Sequence, residues 1–289
     1  MEGITLQYAT TQLITDLEYE NERYYFFYMP KGLNGEYCFP AQEILSISID
    51  KGDITYVQDK TIIKVDHEQS MIKLKTKTNQ TLSICTMTSQ ESLTLWQANI
   101  KEQKYMILTD TNLLIANETI RLEDESLANP TLKAFPALGN LQAKGKRLAS
   151  HQNGLFTEYA LPKSSKSVTF DWKRIQANKV VIQIPASAFD GVKELLLKVT
   201  YQGDIGHAFI NGELIHDNFA NGDIWEIGLK RFENRIIAYG LYLYITPLKE
   251  GVKVNSDSSM AAREEIVHNE IAQIDSVNLI PITEVDLEI

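Results

Sequence analysis

The sequence has little that would mark a redox, metal-binding or membrane protein. It contains only two cysteines, Cys38 and Cys85, which are too far apart for a C-x-x-C motif. This spacing excludes a zinc ribbon and a dithiol redox centre, and it leaves either a disulfide or two buried thiols. No stretch approaches the roughly 20 consecutive apolar residues of a membrane-spanning helix. The first residues also lack the basic and apolar segments of a secretory signal.

Positive charge is scarce as well. The chain of 289 residues carries 28 Lys and Arg against 38 Asp and Glu, which gives a net charge of −10. Nucleic acids and anionic membrane surfaces attract basic patches, so we expect neither as a partner. The hydrophobic fraction of 44% is typical of a folded globular protein, and the length allows two domains.

The pattern of hydrophobic residues predicts strands along most of the chain. Residues 24–29 (YYFFYM) form a short aromatic run that indicates a strand buried on both faces. Residues 71–76 and 82–85 alternate apolar and polar side chains around a turn, which predicts a hairpin with one solvent-exposed face. Helix signals are few: a capping pattern at residues 88–91 that predicts a short helix through Leu93 and Trp96, and a short stretch at residues 263–267.

Many short strands separated by turn residues predict an all-β fold of sandwiches or barrels. The segment 129–146 gathers prolines, glycines and lysines without a clean period, which indicates a boundary. We therefore predict two β-domains, covering residues 1–134 and 135–289. Seven or more strand candidates in the second domain are enough for a two-sheet sandwich.

Residues 201–229 (YQGDIGHAFINGELIHDNFANGDIWEIGL) hold acids, histidines and a tryptophan that suggest a catalytic or metal site. Asn211-Gly212, however, is a strong signal for a type I′ hairpin turn, and the other polar residues lie in or beside turns. His207 and His216 lack metal-ligand spacing and a third ligand, so we predict no metal and no cofactor. Nothing in the sequence pairs two carboxylates across a cleft, and we assign no catalytic residue.

Three blocks resemble the family thirty-five glycoside hydrolases, the β-galactosidase family. Residues 203–232 (GDIGHAFINGELIHDNFANGDIWEIGLKRF) look like its C-terminal jelly-roll segment. Residues 6–39 resemble the segment after the catalytic barrel, and residues 108–123 fit the accessory β region. The resemblance implies that the C-terminal domain is a galactose-binding-like jelly-roll sandwich. The family hydrolyses terminal β-galactosides with two glutamates on a (β/α)₈ barrel, and this chain has neither the pattern nor the roughly 250 residues that such a barrel needs.

Five residues are candidates for contacting a sugar, each with a structural alternative. Trp225 could stack on a galactose ring or fill the core between two sheets. Trp172 could stack or pack beneath a loop. Asp204, Asn221 and Glu226 could hydrogen-bond sugar hydroxyls, could hold calcium together with backbone carbonyls, or could simply stabilise turns.

The expected partner is the catalytic barrel of a parent β-galactosidase, together with β-galactoside glycans. Four tyrosines near the N-terminus either form a docking face for that barrel or lie inside their own domain: Tyr19, Tyr24, Tyr25 and Tyr28. The main hypothesis is a non-catalytic C-terminal β-sandwich region, and the alternative is an independent lectin-like module. A third hypothesis makes the chain an enzyme that uses carboxylates the sequence does not pair. The family is exported, so the resemblance implies a periplasmic or extracellular location.

Overall fold

The structure, a computed structural model, describes residues 1, 3–65, 69–116, 118–125, 129–163, 166–249 and 270–289. Strands account for 60% of the described residues and helices for 8%, which confirms the all-β prediction. The candidate helix at residues 263–267 lies outside the described residues.

The chain divides into two compact units. The first unit comprises Met1–Leu122, Pro130–Pro162 and Asp286–Ile289, and the second comprises Glu123–Asn129 and Lys163–Val285. This division differs from the predicted domains, residues 1–134 and 135–289, because the strand at residues 133–135 pairs both with residues 106–108 and with residues 157–158 and so extends the first unit to Pro162.

The described residues of the first unit include eighteen strands and one short α-helix, α1 (Ser89–Ser92). The strands are β1 (Tyr8–Ala9), β2 (Gln12–Tyr19), β3 (Glu22–Met29), β4 (Gly35–Pro40), β5 (Ile44–Ile49), β6 (Gly52–Val57), β7 (Lys60–Val65), β8 (Ser70–Thr76), β9 (Thr81–Thr88), β10 (Leu95–Ile100), β11 (Gln103–Leu108), β12 (Asn112–Ala116), β13 (Thr119–Asp124), β14 (Lys133–Phe135), β15 (Gln142–Ala143), β16 (Lys146–Arg147), β17 (Ser150–Asn153) and β18 (Phe156–Tyr159). They form sheet I (β1-β4-β7-β6), sheet II (β2-β3-β9-β8-β5) and sheet III (β10-β11-β14-β18-β17). The remaining strands, β12, β13, β15 and β16, form sheet IV together with the end of the last strand of the chain.

Sheet II is the middle layer of the first unit. Phe27 faces sheet I, where its ring lies 5.2 Å from the ring of Tyr37. Phe26 faces sheet III, with ring distances of 6.4 Å to both Phe135 and Phe156. Successive side chains of a strand point to opposite faces, so the aromatic run of β3 fills two cores at once. The prediction of a strand buried on both faces is confirmed.

The predicted hairpin is β8–β9, with the two strands antiparallel. β8 alternates buried and exposed residues as expected, but every residue from Leu82 to Met87 in β9 is buried. The expected solvent-exposed face is therefore wrong for β9, because sheet III covers it. The two cysteines are free and buried, which agrees with the interpretation as two thiols.

The second unit holds strands β19 (Asp171–Gln176), β20 (Lys179–Gln183), β21 (Glu194–Gln202), β22 (Ile205–Ile210), β23 (Glu213–Phe219), β24 (Trp225–Gly228) and β25 (Leu241–Ile245), and helix α2 (Glu233–Tyr239). Short 3₁₀ turns occur at Ala41–Glu43, Ala186–Ala188 and Lys230–Phe232. Sheet V has the order β19-β20-β25-β22-β23. The last strand, β26 (Gln273–Glu288), pairs with β21, which also pairs with β24. One continuous core lies between these two layers, which gives the second unit a β-sandwich-like form.

Strand β26 is shared between the units. Its residues 273–282 pair with β21 in the second unit, whereas Leu287 and Glu288 pair with β15 in the first. In the first unit its end lies between β13 and β15, and Arg121 of β13 makes a two-pronged ion pair with Asp286 at 2.7 and 2.9 Å.

Candidate functional site

The predicted hairpin of the second unit is present and shapes this region. Asn211 and Gly212 have φ values of 49° and 79°, as a type I′ turn requires, and β22 and β23 pair on either side. The register places His207 opposite Asp217 and Ala208 opposite His216. Because neighbouring residues on a strand face opposite ways, the two histidines lie on opposite faces of sheet V.

Trp225 belongs to the core of the second unit. Its side chain is 2% exposed, and its Nε1 donates a hydrogen bond of 3.1 Å to Nδ1 of His216. The ring of Tyr201 packs edge-on at 5.8 Å. On another side, a Cβ added to Gly206 would lie only 2.7 Å from the indole. No ring face is therefore open for stacking on a sugar, and the core alternative describes this residue.

Asp204 and Asn221 lie close together at one end of the sandwich, and their interactions are those of turns. The carbonyl of Asp204 accepts a bond of 2.9 Å from the Ala220 amide, and its amide donates to the carbonyl of Thr246. The Asn221 side chain accepts from the amide of Asp223 at 3.1 Å and donates to its carboxylate at 2.9 Å. These bonds match the turn-stabilising alternative.

Glu226 is tied into a surface ion-pair network. Its carboxylate lies 3.0 Å from Nζ of Lys198, which also pairs with Glu125. Hydrogen bonds to the carboxylates of Glu125 (the larger effect) and Glu226 raise the pKa of Lys198. An ion pair with a carboxylate as exposed as that of Glu226 contributes at most about 1 kcal/mol to stability.

Trp172 is 40% exposed on β19, with the guanidinium of Arg174 5.7 Å from its ring centroid. β19 and β23 are the two edges of sheet V. Four interstrand spacings of about 4.8 Å separate these edges by roughly 19 Å. Asn221 follows β23, so the structure does not bring Trp172 together with the other candidates in one site. Among the described residues, no three His, Cys, Asp or Glu side chains cluster as metal ligands would.

The tyrosine-rich segment packs within the first unit. Tyr19 and Tyr24 contact the ring of Phe135 at 5.7 and 4.5 Å, and Tyr25 is buried between sheets I and II. The hydroxyl of Tyr28 hydrogen-bonds Gln12 of the neighbouring strand. These contacts favour the interior alternative for the cluster.

The solvent-facing side chains of sheet V form a surface that is not among the sites predicted from the sequence. We call it the outer face, and define it by the outward residues of four adjacent strands: Lys179, Val181, Tyr242, Tyr244, Ile205, His207, Phe209, Leu214, Asp217 and Phe219. On β20, β22 and β25 they alternate with buried residues, whereas a bulge interrupts the alternation on β23. These side chains are half-buried or exposed, with Leu214 at 48% and Phe219 at 60%.

The outer face is organised as rungs that cross the strands. One rung runs from Lys179 through Tyr244 and His207 to Asp217, in register on β20, β25, β22 and β23. The Lys179 ammonium lies 5.5 Å from the Tyr244 ring centroid, and the Tyr244 and His207 rings stack at 5.9 Å with 16° between their planes. His207 is also held by Thr246 at 3.0 Å.

The next rung is almost entirely apolar. It contains Val181, Tyr242, Phe209 and Leu214, and the Tyr242 and Phe209 rings lie 6.2 Å apart. Cross-strand aromatic pairs each stabilise a sheet by a few tenths to about 1 kcal/mol, but they leave this apolar surface partly in contact with solvent. A patch of this kind is typical of an interaction site.

Charge on the outer face is balanced. Lys179 and Asp217 lie at opposite ends of one rung, and the outward residues Asp171 and Lys173 lie on the neighbouring edge strand β19. The outer face therefore has one acidic and one basic side chain, and the neighbouring strand adds one of each, in a chain whose net charge is −10. An uncharged ligand fits this balance better than a strongly charged one.

One sequence pattern could have indicated the outer face, namely residues 241–245 (LYLYI). The alternation predicts a strand with one aliphatic face and one tyrosine face. Because tyrosine is enriched in interfaces, a tyrosine face that is exposed to solvent indicates a binding surface. Which other side chains complete the surface depends on the register with β20 and β22.

A scan against protein-family models finds no match to this chain, and a search of curated proteins finds none either. In the part of the chain that the structure describes, none of the helices has the length and apolar character needed to cross a membrane.

Proposed function

We propose that this chain is a non-catalytic β-sandwich region of a β-galactosidase-like glycoside hydrolase, and that its outer face contacts β-galactoside glycans. In this role it would brace the catalytic barrel of the parent enzyme and hold the enzyme near its substrate. The single observation that carries the glycan contact is the outer face, with its aromatic centre and balanced charge.

Two further observations support the proposal. The sequence blocks that resemble the family are long and occur in the family's order, and they correspond to its accessory region. The candidate acids of the second unit are part of a turn or an ion pair: the backbone of Asp204 hydrogen-bonds with Ala220 and Thr246, and Glu226 binds Lys198. A glycosidase needs two carboxyl groups that face each other about 5 Å, or roughly 6.5–9.5 Å, apart.

Glycan binding is tested by calorimetric titration of the full chain with soluble β-galactan. The double variant Tyr242→Ala/Tyr244→Ala removes the central rings of the outer face, and we expect its Kd to rise roughly tenfold or more. Tyr56→Ala is the matched control, because Tyr56 is 69% exposed on β6 in the first unit. Equal binding by all three proteins, or no heat for the wild type at millimolar sugar, would contradict the proposal.

The non-catalytic assignment is tested with a chromogenic β-galactoside. We expect hydrolysis by the isolated chain to stay at the buffer rate. Turnover that is lost in Asp204→Asn or Glu226→Gln would instead establish an active site in this chain.

An independent lectin-like module is the second candidate, and the same outer face favours it. The coding sequence upstream of Met1 separates the two. An in-frame (β/α)₈ barrel supports the accessory role, whereas a stop codon with a separate start at Met1 supports the independent module.

A further inference from the structure

We infer that the outer face binds an internal segment of a neutral glycan chain, several sugar units long, and not a single terminal galactose. This inference rests on the proposed glycan contact and specifies the ligand. It follows from the dimensions of the surface and from where its polar groups lie.

The outer face is wider than one sugar ring. From Lys179 to Asp217 a rung crosses three interstrand spacings, or roughly 14 Å at about 4.8 Å each. Along β22, Ile205 and Phe209 are separated by four residues, or roughly 13 Å at about 3.4 Å per residue. A single pyranose would cover only part of this area, whereas a chain laid across the strands would fill it.

Polar groups lie at the margins of the surface, and rings occupy its middle. Asp217 is on the edge strand β23, whereas Asp171 is on the opposite edge strand β19, about 19 Å away. A site for one sugar gathers a few convergent polar groups around a concave pocket. Here no single sugar can reach both margins, so a ligand that uses both must be extended.

One margin also offers a crevice. It has a volume of about 340 Å³ and is lined by Phe170, Asp171, Gln183 and Ile237. Asp171 and Gln183 are register partners, and the amide of Gln183 lies over Gly240, where an added Cβ would come within 2.5 Å of it. This carboxylate and amide can accept and donate hydrogen bonds to hydroxyls where a glycan leaves the aromatic middle.

The test is a calorimetric series of neutral β-linked galacto-oligosaccharides from galactose to hexasaccharide, titrated into the full chain. We expect affinity to rise with each added unit until the glycan spans the outer face and then to level off, with Kd for the tetrasaccharide at least roughly tenfold below that for the disaccharide. A tetrasaccharide whose non-reducing galactose is blocked at its 4-hydroxyl should bind as well as the unblocked one.

Three variants show which side chains cause the dependence of affinity on glycan length. Tyr242→Ala should flatten the dependence on length, Tyr244→Phe should keep it because the ring remains, and Tyr56→Ala should match the wild type. Circular dichroism and the melting temperature of each variant show whether it is folded. A variant that loses binding but also its fold is replaced by Tyr242→Ser.

The other possible results would refute either the internal-segment inference alone or the glycan contact as well. Equal affinity for galactose and tetrasaccharide, or loss of binding on blocking the terminal sugar, refutes the internal-segment inference and leaves the glycan contact standing. No binding by any sugar refutes the glycan contact itself. Self-association that disappears in Tyr242→Ala, measured by sedimentation without sugar, shows that the occupant is a second copy of the chain and refutes both.

Discussion

Replacing Gly206 with alanine should destabilise the second unit by steric pressure on Trp225. An alanine Cβ at this position would lie 2.7 Å from Cζ3 and 2.8 Å from Cε3 of the indole. The backbone of Gly206 is not in the left-handed region, so the substitution adds no conformational strain. The indole cannot move away easily, because it is 2% exposed and is fixed by its hydrogen bond to His216.

The expected cost is the difference between two effects. Overpacking a well-packed core costs about 1–3 kcal/mol. Replacing a glycine reduces the entropy of the unfolded chain and returns about 0.4–1 kcal/mol. The net loss therefore lies between about 0 and 2.6 kcal/mol, and its midpoint of about 1.3 kcal/mol lowers the melting temperature by roughly 4–6 °C for a unit of this size.

Urea unfolding followed by tryptophan emission measures this loss. Trp225 is buried, whereas Trp96 and Trp172 are both more than a third exposed, so the buried indole dominates the blue-shifted native signal. We expect the midpoint to fall in Gly206→Ala while the m-value stays constant, because a change in midpoint at constant m is a change in stability.

A double-mutant cycle identifies the cause. Trp225→Phe removes the benzo ring that carries the close contacts, so Gly206→Ala/Trp225→Phe should be more stable than the sum of the single losses by about 1–2 kcal/mol. Gly228→Ala is the matched control in β24: its Cβ would meet the carboxylate of Glu194 at 3.1 Å, a looser contact than the one with the indole. Because this carboxylate accepts bonds from the amides of Leu195 and Lys230, we expect a loss, but a smaller one than in Gly206→Ala. Full additivity in the cycle would refute the steric argument.

Two further predictions concern the first unit. Burial raises the pKa of the Cys85 thiol to about 12, and Cys38 is also buried. We therefore expect a thiol reagent to label neither cysteine in the native chain and both after unfolding. Rapid labelling of either cysteine in the native chain would contradict this prediction. The hydrogen bond from Asn153 holds the pKa of Glu158 below its usual range, so its stabilising effect is present at neutral pH and is lost as the pH falls through the lowered folded pKa. The melting-temperature difference between wild type and Glu158→Gln should therefore be larger at pH 7 than at about pH 3, and a constant difference would show that the carboxylate charge is not the cause.

Local signals were sufficient for several elements. The aromatic run of β3, the Asn211-Gly212 turn and the Thr88–Glu91 capping box each depend on a few adjacent residues, and all three are present. The helix after the capping box is shorter than expected, since α1 ends at Ser92 and Trp96 lies in β10. From Leu95 onward the chain pairs with β11 as a strand, and this pairing overrides the helical pattern of the sequence.

Features that depend on distant residues could not be read from the sequence. Strands β14 and β18 have three and four residues, too few for a period to show, so their membership in the first unit becomes visible only through pairing with β11 and each other. The outer face joins Lys179 to Tyr244, 65 positions apart, through a register that no local pattern specifies. The role of Trp225 likewise depended on contact with a glycine from another strand.

The sharing of β26 sets the order in which this protein can be completed on the ribosome. The strands of sheets I, II and III can pair as soon as residues up to 159 have emerged. Strand β21, however, has only β24 as a neighbour until residues 273–282 of β26 are translated. Leu287 and Glu288, which pair with β15, are translated later still. Sheet pairing in each unit therefore depends on residues 273–288, and a nascent chain stalled before them would expose unpaired strand edges to aggregation.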